Sequence, residues 1–341
     1  FNFRCVDEIL HLNKGRNALF PIIKIVLKSL YNSYFIKQQL REILKRYTDY
    51  NSYFFYSYWM DDSAIAISQL SVKHKSYYSI SRAHKWDVYF EENPYSILPF
   101  RRLILKDIDQ LFTISLDGQK YLTGLFPDYC NKISLSRLGV NKQTRLSPTK
   151  DSNNLHVLSC SYIRPDKRLE LIISTLSHIK DLNIYWTHIG EGSKADSYRS
   201  DIKELAKEKL HPNIQYTFLG DLTNQEVLRY YQSSEVDIFI NLSSAEGIPV
   251  TIMEAMSFGI PVLATDVGGT REIVNNENGF LLSANPSIDT VTAKIKEFYN
   301  FSIQNRDDKS NAAFNTWKEY YDAELNYSDF YKNICQSSFP D

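Results

Sequence analysis

Cysteine is scarce in this chain of 341 residues. Four thiols stand at positions 5, 130, 160 and 335, in no metal-ligand spacing and no disulfide framework. That pattern argues against a cysteine metal site and a disulfide scaffold, and makes a reducing compartment, the cytoplasm, the expected location. Long hydrophobic runs are missing too. The most apolar stretch near the start, Leu19 to Leu30, is interrupted by Lys24 and Lys28 and falls short of the roughly 20 residues a bilayer span requires, so no spanning helix is expected. There is no internal repeat, low-complexity tract or nucleic-acid motif. The chain opens on Phe1, with neither an initiator Met nor a cleavable signal pattern, and a missing upstream segment is expected.

A charge surplus is also absent from the total, which is −1, but not from the halves. Residues 1–150 hold 22 Lys and Arg against 13 Asp and Glu, net +9, and residues 151–341 hold 17 against 27, net −10. A basic front half suits a phosphate-bearing acceptor or peripheral contact with an anionic membrane surface. What is abundant is aromatic: 24 Tyr and 19 Phe in an otherwise ordinary composition, 43% hydrophobic and 23% charged. The length favours two domains, each with its own core.

Period and punctuation predict strands alternating with helices, the pattern of parallel α/β sheets. In the front half a helix over 21–47 carries a stripe of Ile22, Ile23, Val26, Leu30, Tyr34, Leu40, Ile43 and Leu44. There follow strand 53–59, a helix from Asp61-Asp62 to about 70, strand 77–81, helix 95–106, strand 110–114, a helix opened by Ser115 and Asp117, and strand 132–136. Residues 141–154, NKQTRLSPTKDSNN, have the composition of a linker. Behind it come strand 155–160, helix 169–179, strand 183–189, strand 214–219, helix 223–232, strand 236–240, helix 288–299 and an aromatic-rich segment, 312–334. That segment has Phe314, Trp317, Tyr320, Tyr321, Leu325, Phe330 and Tyr331 to bury. The expected domains are 1–145 and 146–310, with 311–341 packing back across both.

The stretch 236–282 organises the rest. Its first strand is too apolar to be exposed, so it reads as a buried parallel strand, and such sheets bind ligands beyond the carboxyl ends of their strands. There a loop leads into a helix with Pro249 in its first turn, and the uncommitted N–H groups of Gly247, Ile248, Val250 and Thr251 make a seat for a phosphate or a sugar hydroxyl. Glu254 falls on a helix apolar on nearly every side, with no Lys or Arg within a turn, so a distant cation or a ligand hydroxyl pair must satisfy it. Glu246 stands eight residues earlier, in the loop. Arg164, Lys167 and Arg168 cluster at another strand-to-helix turn, where charge can hold a diphosphate. Gly190 and Gly192 imitate a dinucleotide fingerprint, but the acidic residue ending the next strand, Asp221, comes about 30 positions on instead of the usual 20 or so. In the front half Arg82, His84 and Asp87 converge on a loop after strand 77–81, a second candidate site.

Glu246-Gly247-Ile248-Pro249 followed by Glu254-Ala255-Met256-Ser257-Phe258-Gly259-Ile260-Pro261 and Gly268-Gly269 resembles the signature of family 4 glycosyltransferases, of the bacterial surface-polysaccharide type. SCSYIRPDKRLELI, WTHIGEGS, YTFLGDL and SRAHKWDVY fall in the order that family has, so the likeness covers most of residues 77–282. The resemblance implies a GT-B fold, two Rossmann-like domains with parallel sheets facing a central cleft, and retaining transfer of a hexosyl unit from a nucleotide diphosphate sugar to a glycan or glycolipid hydroxyl. It needs no cofactor and no metal. By it Glu254 binds the ribose hydroxyls, and Glu246 holds the transferred sugar with the backbone of Gly247, Ile248, Pro249 and Val250. Lys167 binds the diphosphate, and His84 reaches the donor sugar, with Arg82 and Asp87 on the acceptor side. Two departures stand out: Tyr162 replaces the family's Arg five residues before Lys167, leaving Arg164 or Arg168 to supply the charge, and Arg168 replaces a Gly. A glycine-rich loop expected near the front has no match before Tyr53.

Three other readings compete. A glycosidase carboxylate pair sits about 5 to 9.5 Å apart, whereas eight residues of continuous helix span roughly 12 Å. A dehydrogenase lacks the full fingerprint. A noncatalytic sugar-nucleotide-binding partner is the third.

Overall fold

The computed structural model describes residues 8–9, 19–74, 76–144, 154–192 and 197–338. Most of the opening polar sequence, much of the linker and Ser193 to Ala195 of the glycine loop lie outside them. The chain divides into two units, residues 1–137 with 330–341, and residues 138–329.

The first unit holds a four-stranded parallel sheet in sequential order, β1 (Tyr53–Ser57), β2 (Tyr77–Ala83), β3 (Gln110–Thr113) and β4 (Ile133–Leu135). Much of the aromatic surplus serves it. In-register neighbours Tyr53 and Tyr77 meet edge to face with centroids 5.2 Å apart, and Phe54 stacks on Tyr78 at 5.9 Å, the cross-strand pairing that stabilises a pleated surface. Helix α1 (Leu19–Leu44) buries Ile22, Val26, Ser29 and Ser33, a narrower and more polar stripe than expected, and leaves Tyr34 and Ile43 exposed. Ser29 is there because it donates, together with Asn32, to Asp62 at the start of α2 (Asp62–Ser71), and Ser33 donates back to the Leu30 carbonyl at 3.0 Å. At 26 residues α1 is long and apolar enough to cross a bilayer, which Leu19 to Leu30 alone did not suggest; here it packs against α2.

Two short connections follow their local chemistry. Asp61 caps α2 by accepting from the Ser63 N–H at 2.8 Å, and Ser115 caps α4 (Leu116–Leu125) through the Gly118 N–H at 3.1 Å. The helix expected over 95–106 is shorter: α3 runs Arg101–Asp107, after two single 3₁₀ turns. Pro99 explains this, because it disfavours helical backbone at the residue before it and cannot donate to an earlier turn.

The second unit is a six-stranded parallel sheet built from β5 (Asn154–Cys160), β6 (Asn183–Ile189), β7 (Ile214–Phe218), β8 (Ile238–Asn241), β9 (Val262–Thr265) and β10 (Gly279–Leu282), in the spatial order β10-β9-β8-β5-β6-β7. This is the doubly wound order, with all strands parallel and the strand order reversing between β5 and β8. Leu155, Val157, Ile184, Trp186, Ile238 and Ile240 lie in one buried cluster, as parallel strands covered on both faces require. The helices are α5 (Leu169–Ser177), α6 (Ser197–Lys209), α7 (Asn224–Ser233), α8 (Val250–Ser257), α9 (Ile288–Tyr299), α10 (Ile303–Tyr320) and α11 (Ala323–Ser338). Of the terminal aromatic segment, Trp317 and Tyr321 are buried completely, while Tyr320, Leu325 and Tyr331 stay exposed. Phe330, near the middle of α11, packs in the first unit, edge to face on Phe112 at 5.0 Å.

Candidate active site

The reversal between β5 and β8 is where a doubly wound sheet opens a crevice, and here it opens a cavity of about 360 Å³. Cys160 to Tyr162, at the end of β5, form one wall, and Asn241, Glu246 and Ile248 to Thr251, between β8 and the first turn of α8, form another; Lys167, Gly190 and Asp221 complete it. Lys167 Nζ donates to Glu246 Oε1 at 2.6 Å, with both side chains largely buried. The Lys167 cation, the carboxylates of Glu246 and Asp221, and the open first turn of a helix thus face a single space. Such a set can hold an anion and accept from hydroxyls at the same time.

The loop that carries Glu246 is held from below. Gly268 adopts a left-handed φ of +51°, and a Cβ there would come 1.9 Å from the Glu246 carbonyl oxygen. Next to it the Gly269 N–H donates to the Gly247 carbonyl at 2.7 Å. Arg168 holds the loop from the other side. It is left-handed itself (φ 48°, ψ 46°), which costs a non-glycine residue about 1 kcal/mol or more. Its guanidinium offsets this by donating to the carbonyls of Leu242, Ser243 and Ala284 and to Asn285 Oδ1, at 2.5 to 3.1 Å. The expectation that Arg168 binds a diphosphate is therefore corrected: its donors are spent on backbone, and it positions the Glu246 loop. Arg164 is exposed and paired with Asp166 at 2.9 Å. Tyr162, 61% exposed, lines the cavity.

Glu254 is buried as expected, and no cation meets it among the described residues. Its Oε1 accepts from Asn224 Nδ2 at 2.6 Å, a partner supplied by the first residue of α7. Burial pushes its carboxyl above the ordinary value, and the Asn224 bond offsets this only in part. Glu254 does not line the cavity directly; it stands one helical turn beyond Val250 and Thr251, which do. Its charge reaches Cys160, whose thiol is pushed up to about 12 by burial and then by Glu254, so Cys160 is no nucleophile at neutral pH. Sequence reasoning missed Asn224, for which the only signal is a polar residue inside a Thr-x-x-Glu capping box, Thr223 to Glu226.

Gly190 and Gly192 both take left-handed backbone, with φ of +105° and +86°. A Cβ on Gly190 would stand 2.3 Å from the Ser161 carbonyl oxygen. Asp221, too far along the chain for a ribose-binding fingerprint residue, accepts instead from the N–H groups of Glu191 and Gly192, at 2.7 and 3.2 Å. It shapes the glycine loop.

In the first unit the expected loop cluster separates. Arg82 lies within β2, buried, donating to Ser136 Oγ at 2.7 Å with its guanidinium 4.3 Å from the centre of the Phe330 ring. Asp87 is fully buried and accepts from the N–H groups of Met60 and His84, at 2.9 and 2.8 Å. Burial alone would raise its carboxyl, but the neighbouring His84 ring and those N–H groups outweigh it and hold the group below its usual value. As acceptor-side contacts Arg82 and Asp87 are thus corrected to internal, structural partners. His84 is the member left over: both ring nitrogens are buried without a hydrogen bond, Nδ1 standing 3.9 Å from Asp87 Oδ2.

Comparison with known proteins bears on this geometry. The model of the family "Glycosyl transferases group 1" matches residues 141–315, just over half of the chain. The chain is 31% identical over 140 residues, 40% of its length, to the sulfoquinovosyl transferase SQD2 of Arabidopsis thaliana. It is 30% identical over 126 residues, 37% of its length, to the O-antigen biosynthesis glycosyltransferase WbnH of Escherichia coli. These matches span only 25% and 32% of the two relatives' own lengths. Among solved structures, Anabaena Alr3699/HepE in complex with UDP and glucose aligns over 87% of this chain and 81% of its own, with a TM-score of 0.68 at 15% identity. That likeness shows the fold, which is GT-B.

Proposed function

The chain belongs to the group 1 glycosyl transferases, and from that premise we propose that it moves a hexosyl unit from a nucleotide diphosphate sugar to an acceptor hydroxyl, with retention of configuration, in the synthesis of a surface polysaccharide or glycolipid. The observation that carries the proposal is the pairing of Lys167 with Glu246 at the mouth of α8, inside the cavity at the sheet reversal. When donor enters, the Lys167 ammonium exchanges the carboxylate for diphosphate oxygens. Glu246 is then released to accept from sugar hydroxyls, and the first turn of α8 adds its N–H groups. Fixed positive potential thereby lies where the leaving diphosphate gains charge. In the retaining chemistry we assign, the acceptor oxygen attacks from the face the diphosphate leaves, the anomeric C–O bond breaks as the new one forms, and the departing phosphate takes the acceptor proton. No protein nucleophile enters.

Glu254 is assigned the ribose hydroxyls. Two hydroxyl donors would relieve a carboxylate that burial disfavours and that Asn224 satisfies on one oxygen. The second unit is then the donor side, and the first the acceptor side. The net +9 of residues 1–150, together with exposed Phe20, Lys24, Lys28, Tyr31 and Phe35 on α1, supports work at the cytoplasmic face of a membrane. Failure of the chain to float with phosphatidylglycerol vesicles at low salt would remove that placement.

A second reading, donor binding without transfer, is favoured by Tyr162, which puts a phenol on the cavity wall where the family places an Arg. One experiment separates the two and tests retention: incubation with UDP-, GDP- and ADP-hexoses, following nucleoside diphosphate release and the anomeric proton of the product by NMR. The proposal expects release and a product of the donor's own anomeric configuration. Inverted product contradicts retention, and binding without release establishes the second reading.

A further inference from the structure

We propose that Tyr58, Trp59 and Trp86, grouped about His84 in the first unit, form a stacking platform for a pyranose ring of a glycan acceptor. The inference rests on the glycosyltransferase reading and deepens it, naming which side chains meet the acceptor and by what chemistry.

Large aromatic rings exposed singly on a surface need no explanation, but these form one connected group. Tyr58, Trp59 and Trp86 are 45%, 43% and 44% exposed. The Tyr58 and Trp59 rings meet edge to face at 5.0 Å, and Trp59 and Trp86 are tilted at 6.5 Å. The His84 ring lies 4.5 Å from Tyr58 and 6.1 Å from Trp59. Neither tryptophan ring is in a parallel stack with a neighbour among the described residues.

The group is also held in place. Asp87 accepts from the N–H of Met60 with one carboxylate oxygen and from the N–H of His84 with the other. Met60 directly follows Trp59, and Asp87 directly follows Trp86. One buried carboxylate therefore fixes the backbone of both aromatic loops, while Asn93 Nδ2 donates to the Trp86 carbonyl at 2.6 Å. A surface ordered before binding loses little entropy when a ligand arrives.

The ligand class follows from what the group offers and what it withholds. A pyranose presents a face of C–H bonds, which suits aromatic rings, and an edge of hydroxyls. His84, packed against Tyr58, brings two buried ring nitrogens without a hydrogen bond: Nδ1 lies on the side of Asp87, at 3.9 Å, and Nε2 is left for a hydroxyl. Nucleobases also stack on aromatic rings, but their phosphates call for a cation, and Lys85, within this loop, faces Glu92 at 3.3 Å.

Tryptophan fluorescence reads the platform without knowledge of the natural acceptor. Of the four tryptophans, Trp186 and Trp317 are fully buried, so acrylamide quenching reports on Trp59 and Trp86. Maltotriose, cellotriose, mannotriose and chitotriose serve as probes, with sorbitol as an open-chain polyol control. At least one trisaccharide should lower the quenching constant by about twofold, and sorbitol should not; Trp59→Leu and Trp86→Leu should each weaken that trisaccharide about tenfold, the loss of a ring contact, with Trp59→Phe restoring most of it. The platform is overturned if no trisaccharide protects, if the leucine variants bind as wild type does, or if phosphatidylglycerol vesicles protect where sugars do not. Calorimetry of the wild type with UDP, GDP and ADP runs beside it. Nucleotide binding without sugar protection removes the platform alone, whereas loss of both removes the glycosyltransferase reading beneath it.

Discussion

Glu254 is a group whose stability and function pull in opposite directions. Its folded carboxyl titrates above its ordinary value, so as pH rises the unfolded chain releases the proton first, and stability falls through that window and stays lower beyond it. Glu254→Gln removes the titration and keeps a partner for Asn224. It should raise the melting temperature at pH 7 by roughly 2 to 4 °C and abolish the decline above the carboxyl range, while weakening nucleotide binding by about 1.5 to 3 kcal/mol. Thermal melts from pH 4 to 8 beside calorimetry check both; a variant that is less stable at pH 7 than at pH 4 would refute the linkage. His84→Ala should do the reverse, lowering kcat by about 100-fold while nucleotide affinity holds, because its unpaired ring nitrogens belong to the first unit. Undiminished turnover would make the His84 loop merely structural. At this scale the sequence was legible where a residue's environment is local: Glu254 on an apolar helix announced itself as buried. Arg168, Arg82 and Asp87 were not legible, since hydrogen-bond partners of Arg168 lie up to 117 positions away, the ring under Arg82 belongs to Phe330, and a basic or acidic letter carries no sign of whether its charge is already spent.

At the scale of elements, strands 183–189 and helix 288–299 fall where period and apolar runs place them, because a parallel strand buried on both faces and an amphipathic helix each write their burial into consecutive residues. The α1 stripe departs from its period for the opposite reason: the helix buries Ser29, which bonds Asp62, and Ser33, which bonds the Leu30 carbonyl, so polar letters stand at core positions. Helix 95–106 was overextended across Pro99. Gly268 carries the sharpest prediction for an element, the 3₁₀ turn Gly268–Glu272 beneath the Glu246 loop. Gly268→Ala combines left-handed strain with a backbone clash at 1.9 Å, and should cost about 3 kcal/mol or more in denaturant unfolding, displacing Glu246 with it. Arg168→Ala should loosen the same loop from the other side, lowering turnover although the Arg168 guanidinium does not line the cavity. A wild-type denaturation midpoint for Gly268→Ala would contradict the close approach.

For the molecule as a whole, alternation of strand and helix and a length of 341 residues were enough to expect two α/β units. The terminal segment 311–341 was expected to serve both domains, and residues 330–341 do belong to the first unit; the position of that switch was not readable, because Phe330 takes its place through Arg82 and Phe112, a packing that no periodicity encodes. The central claim is that the cavity between the ends of β5 and β8 is a nucleoside diphosphate site with Lys167 as its cation. Isothermal calorimetry of wild type and Lys167→Ala against UDP, GDP and ADP tests it most directly. The account predicts that at least one of the three binds wild type and is weakened tenfold or more, about 1.4 kcal/mol upward, by the substitution. Binding of none of them, or equal binding by both proteins, would contradict it.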